Sequence, residues 1–170
     1  MKKKILKHLM LTLMIITNIL ALCACGSSEN TPTEPATTAA PVTLDLNAIS
    51  EELLNGNVFG DSVEPIDASY IEMLMKIAPT EYASAIINMS SGATAERFAL
   101  FETADSASAL ALKNKCDQHI AEQVEAYAGY MPAEVDKLNH AFVAAYDKYV
   151  VLCVAEKYTD AETILNKYFK

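Results

Sequence analysis

Tyr149-Val150-Val151-Leu152-Cys153-Val154 decides the fold. The run is apolar at odd and even positions alike, so a strand formed here has no solvent face and needs cover on both sides. Just upstream, Ala141 to Tyr146 reads as its partner strand, with Asp147-Lys148 as the tight turn between them. Further out, Ser84 to Ser90 alternates. Ala85, Ile87 and Met89 point one way and Ser84, Asn88 and Ser90 the other, with only Ile86 out of pattern. Ser91-Gly92-Ala93-Thr94 then turns the chain into a second strand, Glu96 to Thr103, which contains Phe98, Leu100 and Phe101. Two hairpins are predicted.

Helical periodicity fills the rest. Asp105 is placed to cap a long helix over 106–128, whose core-facing stripe is Ala109, Leu112, Cys116, Ile120, Val124 and Tyr127. Gly129 ends it, and Pro132 opens a short helical turn through Leu138. Thr159-Asp160-Ala161-Glu162 reads as a capping box for a C-terminal helix with Ile164, Leu165, Tyr168 and Phe169 on its apolar side. Near the start, Asp45 caps a helix carrying Leu46, Ile49, Leu53 and Leu54, with Gly56 as its stop. A second short helix runs from about Ser69 to Ile77 and ends before Pro79. The expected fold is therefore α+β: a four-stranded antiparallel sheet built from two hairpins, with a long helix between them, a C-terminal helix and two short N-terminal helices.

The first 24 residues read as an address. Lys2, Lys3, Lys4 and Lys7 precede a mostly apolar run from Leu9 to Ala24. That run would make roughly 24 Å of helix, short of the ~30 Å hydrocarbon core, so a secretory signal fits better than a span. Leu22-Cys23-Ala24-Cys25 followed by Gly26-Ser27-Ser28 resembles the bacterial lipobox. Ala24 supplies the small side chain before the cut, which favours Cys25 over Cys23 as the acylated residue. Two acyl chains on Cys25 would give stable anchoring, where one is marginal. Ser27 to Thr43 is rich in Ser, Thr and Pro, too polar to offset its ordering entropy, with a span of ~20–25 Å as a flexible tether. The expected organisation is a lipoprotein signal peptide over 1–24, a lipidated Cys25 and tether over 25–43, and one α+β domain over 44–170.

Asn88-Met89-Ser90-Ser91-Gly92-Ala93-Thr94-Ala95-Glu96 leading into Phe98-Ala99-Leu100-Phe101, Tyr130-Met131-Pro132 with Val135 and Leu138, and Tyr149-Val150-Val151-Leu152 together resemble a family of Gram-positive lipoproteins, domain of unknown function 4358. The similarity covers most of 44–170. It implies a localisation, the extracytoplasmic face of the cell membrane, and a fold. It brings no activity, cofactor or catalytic residue.

The chain has 13 basic and 22 acidic residues, a net of −9. Removing the basic leader takes away four of the basic residues and none of the acidic ones, leaving −13. Such a surface repels polyanions, so no nucleic-acid partner is expected. With Cys23 removed and Cys25 acylated, Cys116 and Cys153 remain as a candidate disulfide outside the cell, the alternative being two buried small hydrophobes. Cys116, Asp117 and His119 lack metal-site spacing, and His119 reads as a helix-surface histidine beside a core cysteine. Ser90 and Ser91 lack a nucleophile elbow, and no glycine-rich phosphate loop occurs. No enzyme activity, metal or cofactor is expected. Tyr127 and Tyr130 flank Gly129, and Tyr146 and Tyr149 flank the second hairpin turn. They are candidate members of a recognition surface, with core packing as the alternative. The leading expectation is a membrane-anchored, non-catalytic binding or accessory module with a protein partner at the membrane or cell wall. A small-ligand-binding accessory subunit of a transporter or sensor comes second, and a hydrolase third.

Overall fold

The computed structural model describes residues 42–170. The expected signal segment over 1–24, with Cys25 and all but the end of the tether, lies outside the described residues. Asp45 opens α1 (Leu46–Asn55) by accepting from the backbone N–H groups of Asn47 and Ala48 at 2.9 and 3.2 Å. Strand β1 (Val63–Pro65) and helix α2 (Ser69–Met75) follow, and a 3-10 turn at Pro79–Glu81 leads into β2 (Ser84–Ser90) and β3 (Arg97–Glu102). Asp105 caps α3 (Ser106–Ala128) through the Ser108 N–H at 2.8 Å. A second 3-10 turn (Pro132–Glu134), α4 (Val135–Asn139), β4 (Phe142–Tyr146), β5 (Tyr149–Val154) and α5 (Tyr158–Leu165) complete the chain.

All strand pairs are antiparallel, in the order β1-β2-β3-β5-β4. The sheet has five strands where four were expected. Only Val63 of Val63-Glu64-Pro65 is buried, so β1 carries no period-two signal of its own and exists by pairing with β2 from Val63↔Ser90 to Pro65↔Asn88. A second correction concerns α5. It starts at Tyr158 with Lys157 at the cap position and no side-chain cap, so the Thr159 capping box does not form. The Thr159 carbonyl instead accepts from the Thr163 hydroxyl at 2.8 Å.

Both faces of the sheet are covered. Ala99, Phe101, Val150, Leu152 and Val154 pack against α2, α3 and α4. Phe98, Leu100, Tyr149, Val151 and Cys153 pack against α1, α5 and the C-terminal Phe169. This is the double cover that an all-apolar β5 demands, and each large side chain fully buried in it stabilises the fold by ~1.5–3 kcal/mol. Ile86, which broke the alternation of β2, packs on the α1 side because that face is buried too.

The sheet also separates the two cysteines. Cys116 lies on the core face of α3 in one cluster and Cys153 points into the other, and both are free thiols. The candidate disulfide is thereby corrected: successive residues of β5 alternate faces, and Cys153 falls on the face away from α3.

Candidate functional site

One end of the sheet gathers the buried charge. Glu96, fully buried at the entrance to β3, accepts from the backbone N–H groups of Gly60 and Asp61 at 2.8 and 3.0 Å. Its other carboxylate oxygen accepts from Lys137 Nζ at 2.8 Å. Lys137, on α4, also pairs with Glu134 at 3.2 Å and Glu156 at 2.6 Å. Burial opposes the charge on Lys137, but hydrogen bonds from Glu156, Glu96 and Glu134 outweigh it and raise its pKa. Glu134 accepts from the Ala95 N–H at 2.9 Å. This cluster ties β3, α4 and the segments before β1 and after β5 into one corner. Glu96, Glu134, Glu156 and Lys137 satisfy one another, as a structural clasp does, while Asp61 Oδ2 beside them is buried with no hydrogen-bond partner among the described residues.

Beside it, Arg97 projects toward α3. Its Nε donates to the Ala95 carbonyl at 2.9 Å, and Nη1 lies 3.2 Å from His119 Nε2. Arginine only donates, so this His119 nitrogen accepts and the proton sits on Nδ1. Burial, seconded by the Arg97 charge, pushes the His119 pKa down to about 4. The expected helix-surface histidine is in fact 3% exposed, because α2 lies across this part of α3. A cavity of about 10 Å³ between Arg97, His119, Ile71 and Leu74 has room for about one water. Burial pushes both Cys116 and Cys153 up to about 12, far from the thiolate that nucleophilic or ligand chemistry needs.

The four tyrosines do not form one surface. Tyr127 is buried, its hydroxyl donating to the Thr94 carbonyl at 3.3 Å, and Tyr130 packs tilted against it, 5.0 Å between ring centroids, with 63% of its surface exposed. Tyr149 is buried in the opposite cluster and Tyr146, half-buried, packs beside it. The expected cluster reduces to one exposed ring, Tyr130, because the pairs sit on different sides of the sheet.

The open feature of the molecule is the outer edge of β4. It pairs with β5 alone and ends the sheet. Tyr146↔Tyr149 closes the two-residue turn, so Phe142, Ala144 and Tyr146 direct their backbone groups to β5. The N–H and C=O groups of Val143 and Ala145 therefore point outward. Two concavities flank this edge. One, of about 520 Å³, lies on the α3 side, with Ile120, Val124, Leu138 and Val143 in its walls and Asp117 and Glu125 at its rim. The other, of about 330 Å³, lies on the α5 side between His140, Phe142, Tyr158 and Glu162. His140 stacks on Tyr158 at 4.0 Å between ring centroids, and its Nδ1 donates to the Asp136 carbonyl at 2.8 Å. Sequence reasoning passed over this edge, although the absence of charge from Phe142-Val143-Ala144-Ala145-Tyr146 was its visible signal. Among the described residues, no cluster of three or more His, Cys, Asp or Glu side chains is arranged to hold a metal ion.

A family described as Domain of unknown function (DUF4358) matches residues 59–155, more than half of the chain. The span takes in the whole sheet with α2, α3 and α4 and so covers most of 44–170, as expected, leaving α1 and α5 outside it. No curated protein and no solved structure matches.

Proposed function

The chain belongs to the DUF4358 family, and from that membership, which carries no activity with it, we propose that it is a lipid-anchored extracytoplasmic binding module whose working surface is the β4 edge. The observation that carries this reading is the open edge itself, set between two concavities that each mix apolar side chains with carboxylates. An unpaired strand edge is a template for another chain, and folds without a use for one blunt it. The opposite edge of this sheet is blunted: β1 has three residues and includes Glu64 and Pro65. β4 has five residues and neither a charge nor a proline. The buried Glu96, Arg97 and His119 and the half-buried Lys137 serve to hold the fold, and the cavity beside Arg97 offers a small ligand little room. The proposed anchor is Cys25, after cleavage behind Ala24, with the polar tether holding the acidic domain beyond the ~8 Å Debye length of an anionic membrane.

Two measurements test the reading. Incorporation of a palmitate analogue should vanish in Cys25→Ala. A photo-crosslinking side chain at position 145 of the full chain should capture a membrane or wall component, and the same group at position 64 on the β1 edge should not. Labelling that survives Cys25→Ala, or capture from position 64 alone, contradicts it.

A further inference from the structure

Resting on the binding-module reading, we infer that β4 receives an extended, cationic segment of a partner protein as a sixth strand. Its backbone would pair with Val143 and Ala145, and its alternate side chains would enter the two flanking concavities. The geometry supports strand addition rather than a helix in a groove. The two concavities lie on opposite faces of one open strand, 520 and 330 Å³ in size, and a helix can occupy only one of them. An extended chain sends successive side chains to opposite faces and fills both. Each concavity offers apolar side chains for a strand residue to meet: Ile120, Val124 and Val143 on the α3 side, Phe142 and Tyr158 on the other.

Charge selects the occupant. Asp117 and Glu125 rim one concavity and Glu162 the other. Lys113 offsets Asp117 at 2.8 Å, whereas Glu125 and Glu162 are exposed and have no ion-pair partner among the described residues. A second copy of this chain, paired antiparallel across the edge, would bring these carboxylates toward their own symmetry mates. A strand with apolar residues flanked by Lys or Arg meets complementary charge on both faces.

The test pans phage-displayed random dodecapeptides against the full-length chain in detergent micelles. Enriched peptides should alternate apolar residues and carry at least one Lys or Arg. Ala145→Pro removes an outward N–H and leaves the β4–β5 ladder intact, as edge strands tolerate. It should weaken the selected peptides at least ~10-fold. Glu125→Lys combined with Glu162→Lys should weaken them ~5-fold. Methylating alternate backbone nitrogens of a selected peptide tests the same pairing with the protein untouched, so the result stands even if Ala145→Pro fails to fold. Peptides that bind but ignore both Ala145→Pro and methylation overturn the inference and leave the binding-module reading in place. So do enriched acidic peptides, and so does a chain that sediments as a dimer dispersed by Ala145→Pro. Failure to enrich any peptide overturns both.

Discussion

Acidification should destabilise this domain through His119 before its carboxylates respond. Burial and the adjacent Arg97 hold the His119 pKa at about 4, below the ordinary value of about 6.5 for a histidine. A histidine with a depressed folded pKa contributes stability that is complete above about pH 6.5 and is lost as pH falls toward 4. The difference of ~2.5 pH units corresponds to about 3 kcal/mol in full, of which about 2 kcal/mol has gone by pH 5. For a domain of this size that is a fall in melting temperature of roughly 8 °C between pH 7.5 and 5. Glu52, Glu81 and Glu122, whose pKa values are lowered mainly by hydrogen bonds from Lys167, Lys115 and Lys76, add their own losses only below about pH 5. The assay is thermal unfolding at half-unit steps of pH for the wild type and His119→Gln, which keeps an acceptor for Arg97. The difference between the two curves isolates His119. It should shrink steadily from pH 6.5 to 5, since the variant has no imidazole to charge. Long-range ¹⁵N–¹H spectra should show the proton on Nδ1 at neutral pH. Parallel curves for the two proteins, or a His119 resonance titrating near pH 6.5, would refute the buried Arg97–His119 contact.

Three further outcomes follow from the packing. Lys137→Ala strands Glu96, which is fully buried, and should cost about 3–5 kcal/mol in urea unfolding, while Lys76→Ala, which loses an exposed pair with Glu122, should cost under ~1 kcal/mol. Intact mass and thiol titration should find Cys116 and Cys153 reduced and unreactive in the folded protein under air, both reacting after denaturation; a bridge between them would contradict their placement on opposite faces. Tyr149→Ala should destabilise by about 3–5 kcal/mol and Tyr130→Ala by at most ~0.5 kcal/mol, as chemical denaturation would show, because only the first ring is buried.

The family match ends where the second helical layer begins. Phe98, Leu100, Val151 and Cys153 belong to the matched span, yet the residues that cover them, such as Ile49, Leu53 and Leu165, lie outside it. A sheet whose strands are apolar on both faces needs some cover there. In this chain α1 and α5 provide it, and Glu52 joins them by accepting from Lys167 and, at 2.6 Å, from the Tyr168 hydroxyl.

Much of the architecture was legible from local pattern. The caps at Asp45 and Asp105, the alternation of 84–90 and the double-sided apolarity of β5 each state a backbone geometry within a few residues, and the α+β class follows from their order. The candidate site was less legible, because what makes it is a position in the sheet. That β4 is an edge depends on β5 pairing with β3, a contact between residues some fifty positions apart, so Phe142–Tyr146 shows in sequence only its lack of charge and not its place in the sheet. The same limit explains His119. Its helical position was readable, but its burial depends on where α2 comes to rest.

Sequence alone thus determined the longer helices and the four patterned strands, since hydrophobic period and capping chemistry act over one or two turns of chain. Tertiary structure decided which face each residue of β5 presents to α3, hence that Cys116 and Cys153 stay apart. It also recruited β1 from an unpatterned segment and left β4 unpaired. Period-two alternation is blind in a strand apolar on both sides, and a strand's neighbours are chosen by long-range packing, so only the assembled sheet could settle these points.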